Sequence, residues 1–195
     1  MSGMNEAPEI VRPDTIAAKI LFAFDGSGSA WHTVNDDVMG GVSSGMVSID
    51  GETQRLVFSG NLSLENNGGF ASARTQWLND DLTGYDGIIL RVRGDGRTYQ
   101  FRVRTEEGTA KTNYTMLFET EPDTWRDIYI SFADMTPIYR GVVRQASVLD
   151  PGSIRSLGFM LADKQAGEFL LEVKMLSAVT AGNPQGGESD FSGRI

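Results

Sequence analysis

The one histidine, His32, follows Trp31 and shortly precedes Asn35-Asp36-Asp37, with Ser27, Ser29, Ser43 and Ser44 on either side. Serine, histidine and aspartate are the parts of a nucleophilic triad. A triad needs them within hydrogen-bond reach, with the nucleophile on a strained turn such as G-x-S-x-G, and the chain has no such motif. Residues of these kinds gather by chance in a polar, glycine-rich loop, so no catalytic residue is expected. Asp36 and Asp37 could instead serve glycosidase or calcium chemistry. Neighbouring residues of a strand point to opposite faces, which separates the two carboxylates. Asp25-Gly26-Ser27-Gly28-Ser29 near Asp36 has oxygen ligands but lacks EF-hand spacing. They read as solvated turn carboxylates, with no metal site and no cofactor expected. Gly94-Asp95-Gly96 is followed by no helix that could cradle a phosphate, so it reads as a turn and not as a nucleotide fingerprint.

Arginine supplies a second kind of chemistry. Asp-Gly between the alternating runs 87–93 and 98–105 predicts a hairpin. In a regular hairpin Ile88, Leu90 and Val92 face the core with Tyr99, Phe101 and Val103. Arg91, Arg93, Arg102 and Arg104 then share the other face. One reading pairs them with Glu119, Glu168 or Glu172 in a solvated ladder. The other gives the face to a carboxylate-rich, phosphate-bearing or acidic protein partner. Nucleic acid is not expected, because Tyr99 and Phe101 alternate away from the arginines and the chain is acidic. Trp77, Trp125, Tyr129 and Tyr139 are the aromatics available to a sugar site, Trp125 and Tyr129 on one strand face.

The elements that must position these residues are strands. The 195 residues suffice for one domain, with 40% hydrophobic residues and 23 glycines scattered between apolar runs where tight turns need them. About ten short alternating segments follow one another with turn residues between them. They include 20–24, 56–60, 70–76, 87–93, 98–105, 112–119, 125–132, 154–162 and 168–179. Only 14–19 and 132–136 could form a helical turn, and 31–43 is explained by neither strand nor turn propensity. The pattern is that of an all-β protein, a jelly-roll β-sandwich. A single domain over 16–180 is expected between a flexible N-terminus, 1–15, and a disordered tail, 181–195.

Seventeen basic against 26 acidic side chains give a net charge of −9. An acidic surface repels phosphate backbones unless the basic residues are segregated. Cysteine is absent, which removes disulfides and thiolate sites and fits a reducing compartment. Residues 1–13 lack the basic start and apolar core of a secretory signal, and no run reaches the ~18 apolar residues of a membrane helix. A cytoplasmic bacterial protein without membrane insertion is expected; peripheral attachment to the inner membrane through a partner stays open.

Several segments in order carry a family resemblance. They are Trp31 with Val34-Asn35-Asp36-Asp37-Val38-Met39-Gly40-Gly41-Val42-Ser43, Phe58-Ser59-Gly60, and Asn66-Asn67-Gly68-Gly69-Phe70-Ala71-Ser72-Ala73-Arg74. Next come Tyr85-Asp86-Gly87, Arg91-Val92-Arg93-Gly94-Asp95-Gly96-Arg97-Thr98-Tyr99, Trp125, Arg140-Gly141, and 157–164 through Gly167-Glu168-Phe169. Over residues 21–178 the chain resembles the family of the thirty-kilodalton complex I intermediate-associated protein, an assembly factor for respiratory NADH:ubiquinone oxidoreductase. The resemblance implies a galactose-binding-domain-like jelly roll. It also implies a non-catalytic, protein-binding, chaperone-like role toward a membrane-complex assembly intermediate. The alternative is a carbohydrate- or other small-ligand-binding module, and fold does not decide between them. Asn35, Asp36, Arg74, Arg91, Arg93, Arg102, Arg104 and Asp163 are the candidate binding residues. Trp31, Met39, Gly40, Gly41, Gly68, Gly69, Gly94, Asp95 and Gly96 are the structural signature. Trp31, Val34 and Met39 are expected to lock the loop while Asn35 and Asp36 organise its backbone.

Overall fold

Apolar side chains at every second position need a second layer to bury them, and two sheets supply each other with one. The computed structural model describes residues 15–25, 31–36, 40–105, 113–139, 142–145 and 148–181. The flexible N-terminus and the tail expected at 1–15 and 181–195 fall almost wholly outside them. The strands are β1 (Thr15–Phe22), β2 (Trp31–Asn35), β3 (Ser44–Asp50), β4 (Arg55–Leu62), β5 (Ala71–Thr75), β6 (Gly87–Arg93) and β7 (Thr98–Thr105). Next are β8 (Asn113–Glu119), β9 (Arg126–Ser131), β10 (Thr136–Tyr139), β11 (Val142–Val143), β12 (Ile154–Leu161) and β13 (Gly167–Ala181). One sheet runs β3-β4-β13-β6-β9, with β1 also pairing β13; the other runs β11-β10-β8-β7-β12-β5-β2. This is the expected all-β jelly-roll sandwich.

Between the sheets lies one core. Leu56, Phe58, Ile88, Leu90, Leu171 and Val173 enter from the first sheet, and Tyr99, Phe101, Leu157, Phe159 and Leu161 from the second. Trp31 stacks on Phe159 with ring centroids 5.8 Å apart and meets Phe22 edge-on at 5.5 Å. That aromatic cluster anchors β2 to the core.

Three expectations are corrected. Residues 15–19 are not a helical turn but the start of β1, which gains its backbone partners from the far half of β13, residues 176–181. Residues 31–35 are not loop but β2, an edge strand paired with β5. The runs 87–93 and 98–105 do not form a hairpin: β6 pairs β13 and β9, whereas β7 pairs β12 and β8. The two strands face one another across the core, which satisfies the same alternation. The turn becomes a corner between sheets, where Gly94 bridges Pro122 and the Gly96 N–H donates to Thr120 Oγ1 at 3.1 Å. Residues 132–134 do form the expected short helical turn.

Candidate functional site

Asp36, expected as a solvated turn carboxylate, instead follows β2 directly and is fully buried. Its Oδ1 accepts the Ser43 N–H at 2.9 Å. Its Oδ2 accepts the Ser43 hydroxyl at 2.5 Å and the N–H groups of Gly69 at 2.7 Å and Phe70 at 3.3 Å. Burial alone would raise this carboxyl's pKa; the Ser43 hydroxyl and the three N–H donors outweigh it and hold the pKa below the ordinary value. The Gly41 N–H closes the turn onto the Asp36 carbonyl at 3.0 Å. A Cβ on Gly41 or Gly68 would strike the Asp36 carboxylate, so two signature glycines serve close approach to it. Ser43 Oγ in turn accepts the Ser63 N–H at 3.0 Å. Asn35 donates to the Gly45 carbonyl at 3.2 Å. Met39 and Asp37 lie outside the described residues. The carboxylate therefore ties together three stretches of chain and faces no solvent.

The corner after β6 is bound as fully. Asp95 accepts the Tyr99 hydroxyl at 3.0 Å, the Leu170 N–H at 2.8 Å and the Arg97 N–H at 3.1 Å. Burial first, then the Asp95 carboxylate, raises the Tyr99 pKa far above its ordinary value. Arg97 grips Asp163 through both Nε (2.9 Å) and Nη2 (2.7 Å) and also donates to the carbonyls of Gln165, Gly167 and Glu168. Asp163 thus tethers the β12–β13 loop.

The expected arginine face is divided because β6 and β7 belong to different sheets. On the six-stranded sheet Arg91 pairs with Asp127 at 2.9 Å. Glu172, with an 8% exposed side chain, bridges Arg55 (2.5 Å) and Arg93. Trp125 lies 5.0 Å from the Arg93 guanidinium and 4.9 Å from the Lys174 ammonium, so cations occupy its surroundings.

On the seven-stranded sheet Arg102 and Arg104 of β7 meet Arg74 of β5 across β12. Gly158 is in register with both Arg74 and Arg102, so the strand between the arginines carries no side chain at that row. The three half-buried arginines, with Ser72, Asn113, Ser156 and Gly158, line a narrow recess of about 10 Å³. Among the described residues none of the three pairs with a carboxylate. Arg102 donates to Met160 Sδ at 2.7 Å, and its Nε is buried without a partner among those residues. Burial, then the charges of Arg74 and Arg104, pulls the Arg102 pKa down to about 10. Burial and Arg104 likewise lower that of Arg74. A second cleft, of about 380 Å³, shares Arg104 and Ser156 with the recess and adds His32, Gln76 and the exposed Trp77.

Asn35 and Asp36, Asp163, and Arg91 with Arg93 thus occupy places apart from the recess, which brings together Arg74, Arg102 and Arg104. Gly158 was missed by sequence reasoning; the available signal was a glycine inside an alternating strand, which marks close backbone approach. Among the described residues no group of three or more His, Asp or Glu gathers as a metal site, and no helix is long and apolar enough to cross a membrane.

A family model described as Complex I intermediate-associated protein 30 (CIA30) matches residues 20–173. The chain is similar to the mitochondrial Complex I intermediate-associated protein 30 of Mus musculus, 31% identical over 110 residues, covering 53% of this chain and 33% of that protein. It is also similar to the Neurospora crassa protein of the same name, 29% identical over 100 residues, covering 50% and 36%. The matched segments span about a third of these curated relatives. Among solved structures, the Family 11 carbohydrate-binding module of the cellulosomal cellulase Lic26A-Cel5E of Clostridium thermocellum superposes with a TM-score of 0.65. It is 17% identical and covers 86% of this chain and 96% of that one. The Clostridium thermocellum Family 11 module in complex with a β-1,3-1,4-mixed-linked tetrasaccharide gives 0.61 at 18% identity, covering 84% and 96%. At such identity the likeness is one of fold.

Proposed function

The chain belongs to the complex I intermediate-associated protein 30 family, and from that premise we propose that it is a non-catalytic, protein-binding, chaperone-like assembly factor acting on intermediates of respiratory NADH:ubiquinone oxidoreductase. The observation that carries the reading is the family match over residues 20–173, which takes in the sandwich from the middle of β1 to the middle of β13. The buried carboxylates support it: Asp36, Asp163 and Glu172 are all bound to partners within the fold. In this reading the protein is bacterial and cytoplasmic and reaches the inner membrane only through its partner. Of the expected binding residues we retain Arg74, Arg102 and Arg104 for ligand contact. The carbohydrate alternative is weakened at Trp125, whose ring is flanked by two cations.

The test is affinity capture of the tagged full chain from native membranes in mild detergent, with deletion of its gene in parallel. Recovery of subunits of an incomplete complex I, and accumulation of partial complexes in the deletion strain, is the expected result. Capture without any respiratory subunit, together with normal complex I after deletion, overturns the reading.

A further inference from the structure

We propose that the recess formed by Arg74, Arg102 and Arg104 is a binding site for a phosphoryl group, as a phosphomonoester or the free dianion. The proposal goes beyond the assembly role and holds whichever protein the chain accompanies.

The sheet register builds the site. Adjacent strands lie about 4.8 Å apart, so the backbones of Arg74 and Arg102 stand roughly 9.6 Å apart with Gly158 between them. Arg104 follows Arg102 by two residues, on the same face and roughly 6.8 Å along the strand. A Cβ on Gly158 would come within 2.7 Å of the Ala73 carbonyl oxygen and 3.2 Å of Arg74 Cγ, so the floor of the recess stays bare backbone. The bordering hydroxyls turn their hydrogens away from it: Ser72 donates to the Val34 carbonyl at 2.6 Å and Ser156 to the Thr75 carbonyl at 3.1 Å. Three arginine side chains thus line one recess whose floor at Gly158 is bare backbone.

Charge argues that something fills it. Arg55, Arg91, Arg93, Arg97 and Arg126 each have a carboxylate within 4 Å among the described residues, and these three have none. A chain with a net charge of −9 has carboxylates to place there. Three half-buried cations held together without one carry mutual repulsion that a bound anion would relieve.

The shape of the donor set selects the anion. A carboxylate offers two oxygens and matches one guanidinium fork, leaving two cations unmatched. A phosphoryl monoester offers three terminal oxygens and close to two negative charges at neutral pH. It can therefore meet three forks at once. A nucleic-acid diester carries a single charge per phosphate on a long acidic backbone that the rest of this surface repels. The recess itself is narrow, about 10 Å³, so the group sits at its mouth, where Arg104 and Ser156 also border the adjoining cleft of about 380 Å³ with His32, Gln76 and Trp77.

Isothermal titration of the full chain in a phosphate-free, low-salt amine buffer tests the site. The titrants are inorganic phosphate and phenyl phosphate, with citrate and sodium chloride at matched ionic strength as controls. Saturable binding of phosphate or phenyl phosphate is expected, weakened about tenfold or more in Arg102→Met and in Arg104→Gln, and unchanged in Arg91→Gln. Should Arg102→Met fail to fold, Arg104→Gln alone carries the comparison. Flotation with phosphatidylcholine vesicles, with and without phosphatidic acid, separates the sources. Binding to phosphatidic acid that Arg104→Gln abolishes, without binding of either soluble phosphate, assigns the site to a lipid headgroup. Binding of soluble phosphate assigns it to free or small-molecule phosphate. Citrate bound as tightly as phosphate, binding unaffected by both variants, or no saturable binding in any arm overturns the proposal. The capture experiment above would then still stand on its own outcome.

Discussion

Asp36→Asn keeps the shape of the buried side chain and removes its charge. Oδ2 accepts three hydrogen bonds and Oδ1 one, all from donors fixed by the fold. Asparagine has one acceptor oxygen. Whichever way the amide is turned, its NH2 group faces at least one N–H that has no other partner there. The remaining bonds lose their charge assistance. Charged hydrogen bonds contribute about 1.5–3 kcal/mol net, and a buried donor left unmet costs about 1–3 kcal/mol, so the variant is expected to lose about 3–5 kcal/mol. For a domain of this size that lowers Tm by roughly 6–20 °C, read by differential scanning calorimetry. A double-mutant cycle with Ser43→Ala should give a coupling above about 1 kcal/mol, since the two side chains share one bond network. A Tm within about 2 °C of the parent, or additive single variants, would refute the hub role.

The same group sets part of the acid stability. Its folded pKa lies below the ordinary 3.8 because the four hydrogen bonds outweigh the burial that opposes them. Above the unfolded value both states are ionised and the stabilisation is complete. As pH falls below it, the unfolded chain takes up a proton that the native state refuses, and stability declines until pH passes the folded pKa. Asp36→Asn, already weaker at neutral pH, should therefore show a shallower decline below about pH 4 in urea midpoints taken at successive pH values.

Alanine at Gly68 would place its Cβ 2.6 Å from Asp36 Oδ2 and 2.9 Å from the Glu65 carbonyl. A loss of about 1–3 kcal/mol in urea unfolding is expected, and an unchanged midpoint would count against the close approach. Arg97→Met leaves Asp163, whose side chain is 6% exposed, without its charge partner. About 3–5 kcal/mol should be lost in guanidinium unfolding, and a change below about 1 kcal/mol would contradict it. Glu172→Gln and Asp127→Asn both break arginine pairs on the six-stranded sheet. The first, at a buried carboxylate serving two arginines, should cost several-fold more than the second, where Arg91 is 43% exposed and the pair is worth about 0–1 kcal/mol. Equal thermal shifts in the two variants would argue against burial as the deciding factor.

Alternation made most strands legible, because a period of two survives whatever lies beside it. It does not say which sheet a strand joins. Ile88, Leu90 and Val92 face the core alike whether β7 lies beside β6 or across from it, so an Asp-Gly turn that reads as a hairpin serves as a corner. The side chain of Asp95 is what marks the difference, since it reaches the Leu170 N–H of β13 and the Tyr99 hydroxyl of β7. β2 was hidden for a related reason. His32, Thr33 and Asn35 are polar, and only Trp31 carries the strand into the core. The role of Asp36 was illegible beyond its loop because two of its donors are backbone N–H groups 33 and 34 residues away, where sequence offers only glycines and a phenylalanine. Arg102 and Arg104 were legible as neighbours on one face. Their meeting with Arg74 depends on β12 lying between β7 and β5, a pairing that no local pattern encodes.

The charged residues therefore fall into two groups that a stability assay can tell apart by sign. Asp36, Asp95, Arg97 and Asp163 have their hydrogen bonds met within the fold, and neutralising any of them leaves buried donors or charges unmatched. Arg102 stands in the opposite condition. The charged state of its guanidinium is disfavoured by burial and by Arg74 and Arg104, and its pKa is pulled down to about 10 as a result. Arg102→Met removes that charge and retains an apolar stem beside Gly158. In phosphate-free buffer its Tm should equal or exceed the parent's; adding phosphate should raise the parent's Tm and leave the variant's in place. A variant that melts well below the parent without phosphate would mean that Arg102 is held by favourable contacts of its own. The recess would then be part of the scaffold, as the Asp36 loop is.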